Sequence, residues 1–118
     1  MSITVLAFSG SIVTPQDQSA INTAAATTSQ STTSITPGNN QQMIVTALCG
    51  DPDIGTISID TGFTISDSVA YTGGQHLAGS LAYFYQATAA GINPTWSWLN
   101  TSDGTVGSAS TIASFKSV

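Results

Sequence analysis

The sequence predicts an all-β protein: one antiparallel β-sandwich, jelly-roll-like, spanning residues 1–118 as a single domain. Three observations carry this. Runs rich in β-branched and aromatic residues recur at spacings of about ten residues, divided by Gly and Asp turns. Eighteen Thr and seventeen Ser, with no Glu and one Lys, oppose helices. The stretch from Gly79 to Leu99 alternates with period two on either side of a small-residue connection.

That stretch carries Tyr83, Phe84, Tyr85, Trp96 and Trp98, more than half of the chain's aromatic residues. Leu81, Tyr83 and Tyr85 fall on one side of a strand, and Ala82 and Phe84 on the other. Trp96 and Trp98 repeat the period after Asn93-Pro94, a turn-like pair. The expectation is an aromatic hairpin that supplies most of the apolar area of the core.

The other elements follow in order. Ser2 to Phe8 reads as a strand that Gly10 ends. Residues 11–42 are polar and Ser/Thr-rich, and between Gln16 and Gln42 the large apolar residues are Ile21 and Ile35. This segment reads as an extended N-terminal arm or an edge strand. Pro37-Gly38-Asn39-Asn40 is a turn. Met43 to Cys49 reads as a central strand buried on both sides. After the break at Gly50-Asp51-Pro52-Asp53, the run Ile57 to Ile65 folds as a hairpin about Asp60-Thr61-Gly62. Ser66 to Ala78 and Asn100 to Gly107 read as loops. Ser108 to Ser117 forms the last strand, with Ala109, Thr111, Ala113 and Phe115 on one face.

Charged residues are 6% of the chain, and the net charge of −5 comes from six Asp against Lys116. One cation cannot neutralise a run of phosphates, so nucleic acid and anionic membrane surfaces are excluded as partners. No Arg is present to clamp a carboxylate or phosphate substrate. Cys49 is the sole cysteine, so no intrachain disulfide forms. The longest apolar run is too short to span a bilayer. The N-terminus lacks the basic and long apolar regions of a signal peptide, which predicts synthesis and folding in a cytoplasm.

The chemistry-bearing residues are sparse. His76 sits in the Gly-rich run Tyr71 to His76 with no Gly-x-Ser-x-Gly to mark a nucleophile. A lone His and a lone Cys do not make a zinc site. Asp51-Pro52-Asp53-Ile54-Gly55 has the look of a calcium loop but lacks its closing Glu. Asp60 and Asp67 read as turn residues at the ends of the Ile57–Ile65 hairpin, since a glycosidase pair needs a cleft as well as a spacing. No catalytic residue, cofactor or metal is predicted. Tyr83, Tyr85, Trp96 and Trp98 are the interface or ligand-facing candidates: as a core or oligomer-interface set, or as a platform for stacking sugars.

Gly62-Phe63-Thr64-Ile65, the strand Gly79 to Gln86, Asn93-Pro94-Thr95-Trp96-Ser97-Trp98 and Ile112-Ala113-Ser114-Phe115-Lys116 together resemble a small β-sandwich domain of tailed-bacteriophage structural proteins. The resemblance covers about Met43 to Val118 and attaches no catalytic residue. It implies a non-enzymatic virion protein. A free-standing chain of this length that starts at Met1 would be a capsid decoration, or cement, protein on the outer capsid surface. Its partner would be the major capsid protein, and its copies would form a trimer or dimer. The segment from Ser11 to Gln42 would then lie across a neighbour and add a strand to its sheet. The alternative is a glycan-binding, receptor-recognition module of a tail or fibre. A third reading, a small hydrolase using Asp60 or Asp67 with His76, has the least in the sequence to support it.

Overall fold

The computed structural model describes residues 5–25, 27–51, 54–69, 78–100 and 107–118. They form eight strands: β1 (Ser11–Ala24), β2 (Ser29–Ser31), β3 (Gln42–Asp51), β4 (Ile54–Ile59), β5 (Thr64–Val69), β6 (Ala78–Gln86), β7 (Thr95–Asn100) and β8 (Gly107–Ser117). One sheet has the order β1-β8-β3-β6-β5 and the other β2-β7-β4. All ladders are antiparallel. The two sheets pack as a sandwich. The pairs β1–β8, β2–β7 and β3–β6 are nested, first with last, as in a jelly roll. β5 departs from that nesting: it pairs with β6 rather than with β4.

This topology corrects the expected aromatic hairpin. β6 and β7 are successive strands but lie in opposite sheets. Hairpin loops run to about five residues, whereas residues 87–94 make a crossing. Ile92 bridges to Ile35 on the way, and Pro94, which has no N–H to give a ladder, is buried just before β7. The aromatics are therefore divided between the two sheets instead of standing side by side. The Ile57–Ile65 hairpin is corrected in the same way. Gly62 makes the tight turn at φ +101, and the Phe63 N–H bonds the Asp60 carbonyl at 3.4 Å. The chain nonetheless leaves β4 for the other sheet, because Phe63 turns inward and packs against both halves of the core.

The core has two parts. Leu48, Ile57, Ala78, Ala82, Trp96 and Trp98 form one, and Ile35, Ile44 and Ile112 the other. Trp96 is fully buried, and its indole N–H donates to Thr46 Oγ1 at 3.0 Å. That hydroxyl in turn donates to the Thr111 carbonyl at 2.8 Å.

The segment 11–42 is an edge and not a free arm. β1 pairs with β8 along most of its length. The following residues are tied to it and to the crossing: Asn22 Nδ2 donates to the Ser31 carbonyl, Thr33 Oγ1 to the Ile21 carbonyl, and the Thr32 N–H to the Pro94 carbonyl. Removing these residues would open the sandwich. Of the expected strand Ser2–Phe8, residues 5–8 join no ladder, and residues 2–4 lie outside the described residues.

Candidate functional site

Alternation along β3, β6 and β8 sorts their side chains onto two faces. The interior of the five-stranded sheet takes Gln42, Ile44, Thr46 and Leu48 from β3, and Ser108, Ser110, Ile112 and Ser114 from β8, all buried. The exterior takes the residues between them. Ladder partners put these in rows: Phe115, Met43 and Tyr85; Ala113, Val45 and Tyr83; Thr111, Ala47 and Leu81; Ala109, Cys49 and Gly79. Met43 to Cys49 is thus a central strand, as expected, but it is buried on one face alone. Ala109, Thr111, Ala113 and Phe115 share a face as expected, and it is the outward one.

This outer face is apolar and tapered. At its bulky end, a cleft of about 460 Å³ lies among Phe8, Pro15, Met43, Tyr85 and Phe115, with Gln41 and Lys116 at the rim. Phe8 meets the ring of Tyr83 edge-on, with centroids 6.3 Å apart. The other end holds a shallow groove of about 250 Å³ bounded by Ile21, Thr23, Ala47, Cys49 and Ala109. Ile21 and Tyr85 are 76% and 52% exposed, and the Cys49 thiol is free and exposed.

The four singled-out aromatics therefore separate. Tyr83 and Tyr85 stand on the outer face, and Trp96 and Trp98 point into the core from the opposite sheet. Cys49, at the end of the strand expected to be buried on both sides, is instead exposed. Asp60 acts as a turn residue: its carboxylate accepts the Thr95 N–H at 2.7 Å and holds the start of β7. Asp67 lies on edge strand β5. His76 and Asp53 lie outside the described residues. Among the described residues no three His, Cys, Asp or Glu side chains come together as a metal site.

Sequence reasoning missed Asp17. It lies in the second register shift of β1, between Gln16 and Gln18, where its Oδ2 accepts the Gln42 Nε2 and Gly38 N–H donors, each at 2.7 Å. Lys116 Nζ stands 3.5 Å from its Oδ1. These hydrogen bonds, Gln42 first, hold its carboxyl below the ordinary value of 3.8, with a smaller pull from Lys116. A signal was present: with a single cation in the chain, one of six Asp had to be its nearest anion.

No protein-family model matches the chain, and neither the curated proteins nor the solved structures contain a significant match.

Proposed function

We propose that this chain is a non-enzymatic virion structural protein: a bacteriophage capsid decoration protein that binds the outer capsid surface and stabilises contacts between major capsid subunits. The observation that carries the reading is the hydroxyl-rich outer side of the three-stranded sheet, on which Leu99 stands exposed on a rigid jelly-roll-like sandwich. Sequence resemblance to phage structural β-sandwiches supplies the rest. Strand addition by residues 11–42 is not part of the proposal, because those residues already complete the chain's own sheet. The capsid-facing surface is instead the outer side of β2, β7 and β4. There Ser31 and Thr95 share a hydrogen bond at 2.8 Å, Ser58 Oγ donates to the Ser97 carbonyl, and Leu99 stands 66% exposed. Such weak hydroxyl contacts gain strength by repetition over many copies.

Co-sedimentation with phage capsids prepared without this protein tests the reading. The expected result is saturable binding at a fixed copy number per capsid, lost on Leu99→Lys. Absence of binding would overturn it. A second reading, a glycan-binding tail or fibre module, draws on Tyr85, half exposed in a cleft whose rim carries Gln41 and Lys116. It predicts retention on cell-surface polysaccharide that Tyr85→Ala abolishes.

A further inference from the structure

We propose that residues 5–10 form a hinged strap over an apolar docking row, and that the strap competes for this row with an extended, uncharged, aromatic-bearing segment of a partner chain. The inference stands whether or not the protein sits on a capsid.

The strap is held far more loosely than the segment that follows β1. There the Thr32 and Ile35 N–H groups donate to the Pro94 and Ile92 carbonyls, Ile92 returns a bond to Ile35, and Ile35 is buried. Residues 5–10 join no ladder, and all of them but Leu6 are exposed. Among the described residues, the specific contacts that hold them are two. The Gly10 carbonyl accepts the Val118 N–H at 2.8 Å, and the Phe8 ring meets Tyr83 edge-on. So few buried groups and backbone hydrogen bonds mark a segment that opens well below the free energy of global unfolding.

Gly10 is placed as the hinge. It stands at φ +81, next to Ser11, where β1 begins its pairing with β8 at Ser117. A Cβ there would meet Val118 Cγ2 at 3.8 Å, an ordinary contact. Glycine is therefore required by the backbone angle and not by space. An extended φ at Gly10 carries residues 5–9 off the sheet and leaves β1 in its ladder.

What the strap covers has the size of a ligand site. Ala7, Phe8 and Ser9 wall a cleft of about 460 Å³ whose floor holds Met43, Tyr85 and Phe115. Charge selects the occupant. The floor carries no charged group, and Lys116 at the rim is turned to Asp17 at 3.5 Å. The segment already seated there shows what fits: Val5 to Gly10 has no charged residue, and its one ring lies on Tyr83. A partner segment of the same chemistry is recognised as groove-bound peptides are, by apolar anchors. It binds once the strap has left, so its apparent affinity is lowered by the fraction of chains in which the strap is open.

A dye-labelled synthetic peptide of residues 2–10, titrated into the full chain and followed by fluorescence anisotropy, tests this. Gly10→Ala strains the docked hinge, and Phe8→Ala removes the ring contact. Each should tighten peptide binding at least about five-fold over the wild type. Hydrogen exchange at the Val118 N–H, which docks on Gly10, should quicken in both variants by a similar factor. Adding Tyr83→Ala to Phe8→Ala should cancel the gain in peptide affinity. The blue emission of buried Trp96 and Trp98 should be the same in all of these chains, since the sandwich stays folded while the strap opens. Equal peptide affinity in the wild type and both single variants, no binding to any of them, or loss of the sandwich in Phe8→Ala would each overturn the proposal.

Discussion

Strand β8 turns Ser108, Ser110, Ile112 and Ser114 to the interior and Ala109, Thr111, Ala113 and Phe115 to the outside. The two faces differ because different things lie across from them. The inner face meets the β2 side of the opposite sheet, where Ser108 Oγ donates to the Gln30 side-chain carbonyl, and Ile112 packs with Ile35 and Ile44. On the neighbouring β3, Thr46 is the small hydroxyl side chain that meets the Trp96 ring. Each buried hydroxyl then needs a partner, and Thr46 has two: the Trp96 N–H and the Thr111 carbonyl. The outer face has no opposing sheet in the monomer, so its side chains are free to be large and apolar. Polarity alone does not tell inside from outside here. The volume of the opposing side chain does.

The largest contrast between the faces should come from their aromatics. Trp96→Ala removes a fully buried indole, leaves a cavity and takes away one of the two partners of the Thr46 hydroxyl. It should cost about 3–5 kcal/mol, much of the stability of a domain this size. Tyr85→Ala, on the outer face, should cost the monomer less than about 1 kcal/mol. Urea denaturation of the two variants at low protein concentration measures the difference. Equal losses would mean that the outer face is as much a part of the monomer's stability as the inner one.

Next in size is the tie at the edge of the same sheet. Asp17→Asn keeps the shape but loses the charge that strengthens two short hydrogen bonds, from Gln42 and Gly38. A loss of about 2 kcal/mol is expected. Because folding lowers the Asp17 pKa, its contribution is fully present above the unfolded value and fades as the pH falls through the lowered folded one. The wild type should thus lose stability in acid faster than the variant does. Lys116→Met should cost less, under about 1 kcal/mol, since its ammonium is partly exposed and stands at 3.5 Å. A variant ranking with Lys116 above Asp17 would contradict the order of these contacts.

Which parts of this were legible in the sequence follows from range. Strand positions and the two-residue period are local, and β3, β6, β7 and β8 fall close to where Met43–Cys49, Gly79–Gln86, Trp96–Trp98 and Ser108–Ser117 placed them. Sheet membership is not local. Nothing in Asn93-Pro94 or Asp60-Thr61-Gly62 says whether the chain turns back beside its neighbour or crosses the core, and in both cases it crosses. The candidate surface was half legible. Tyr83 and Tyr85 could be put on one side of β6 together, but the side was not known until β7 was seen to fill the other. Asp17 was hidden because its donors lie in distant segments, at Gly38 and Gln42.

The smallest effects separate two serines on one strand. Ser114 is fully buried, and its Oγ accepts the Gln18 N–H at 3.1 Å, where the register of β1 shifts. Ser114→Ala leaves that backbone donor unpaired and should destabilise by about 1–2 kcal/mol. Ser110 is buried on the same face, but its hydroxyl meets no hydrogen-bond partner among the described residues. Replacing it with Ala removes a polar group that gains nothing from folding, at almost unchanged volume, so Ser110→Ala should be neutral or raise stability by up to about 1 kcal/mol. Thermal unfolding of the pair reads this directly. Opposite signs would show that the inner hydroxyls matter through their partners. A loss at Ser110 equal to that at Ser114 would mean that both hydroxyls are bonded, and that the inner face is polar by satisfaction throughout and not by size.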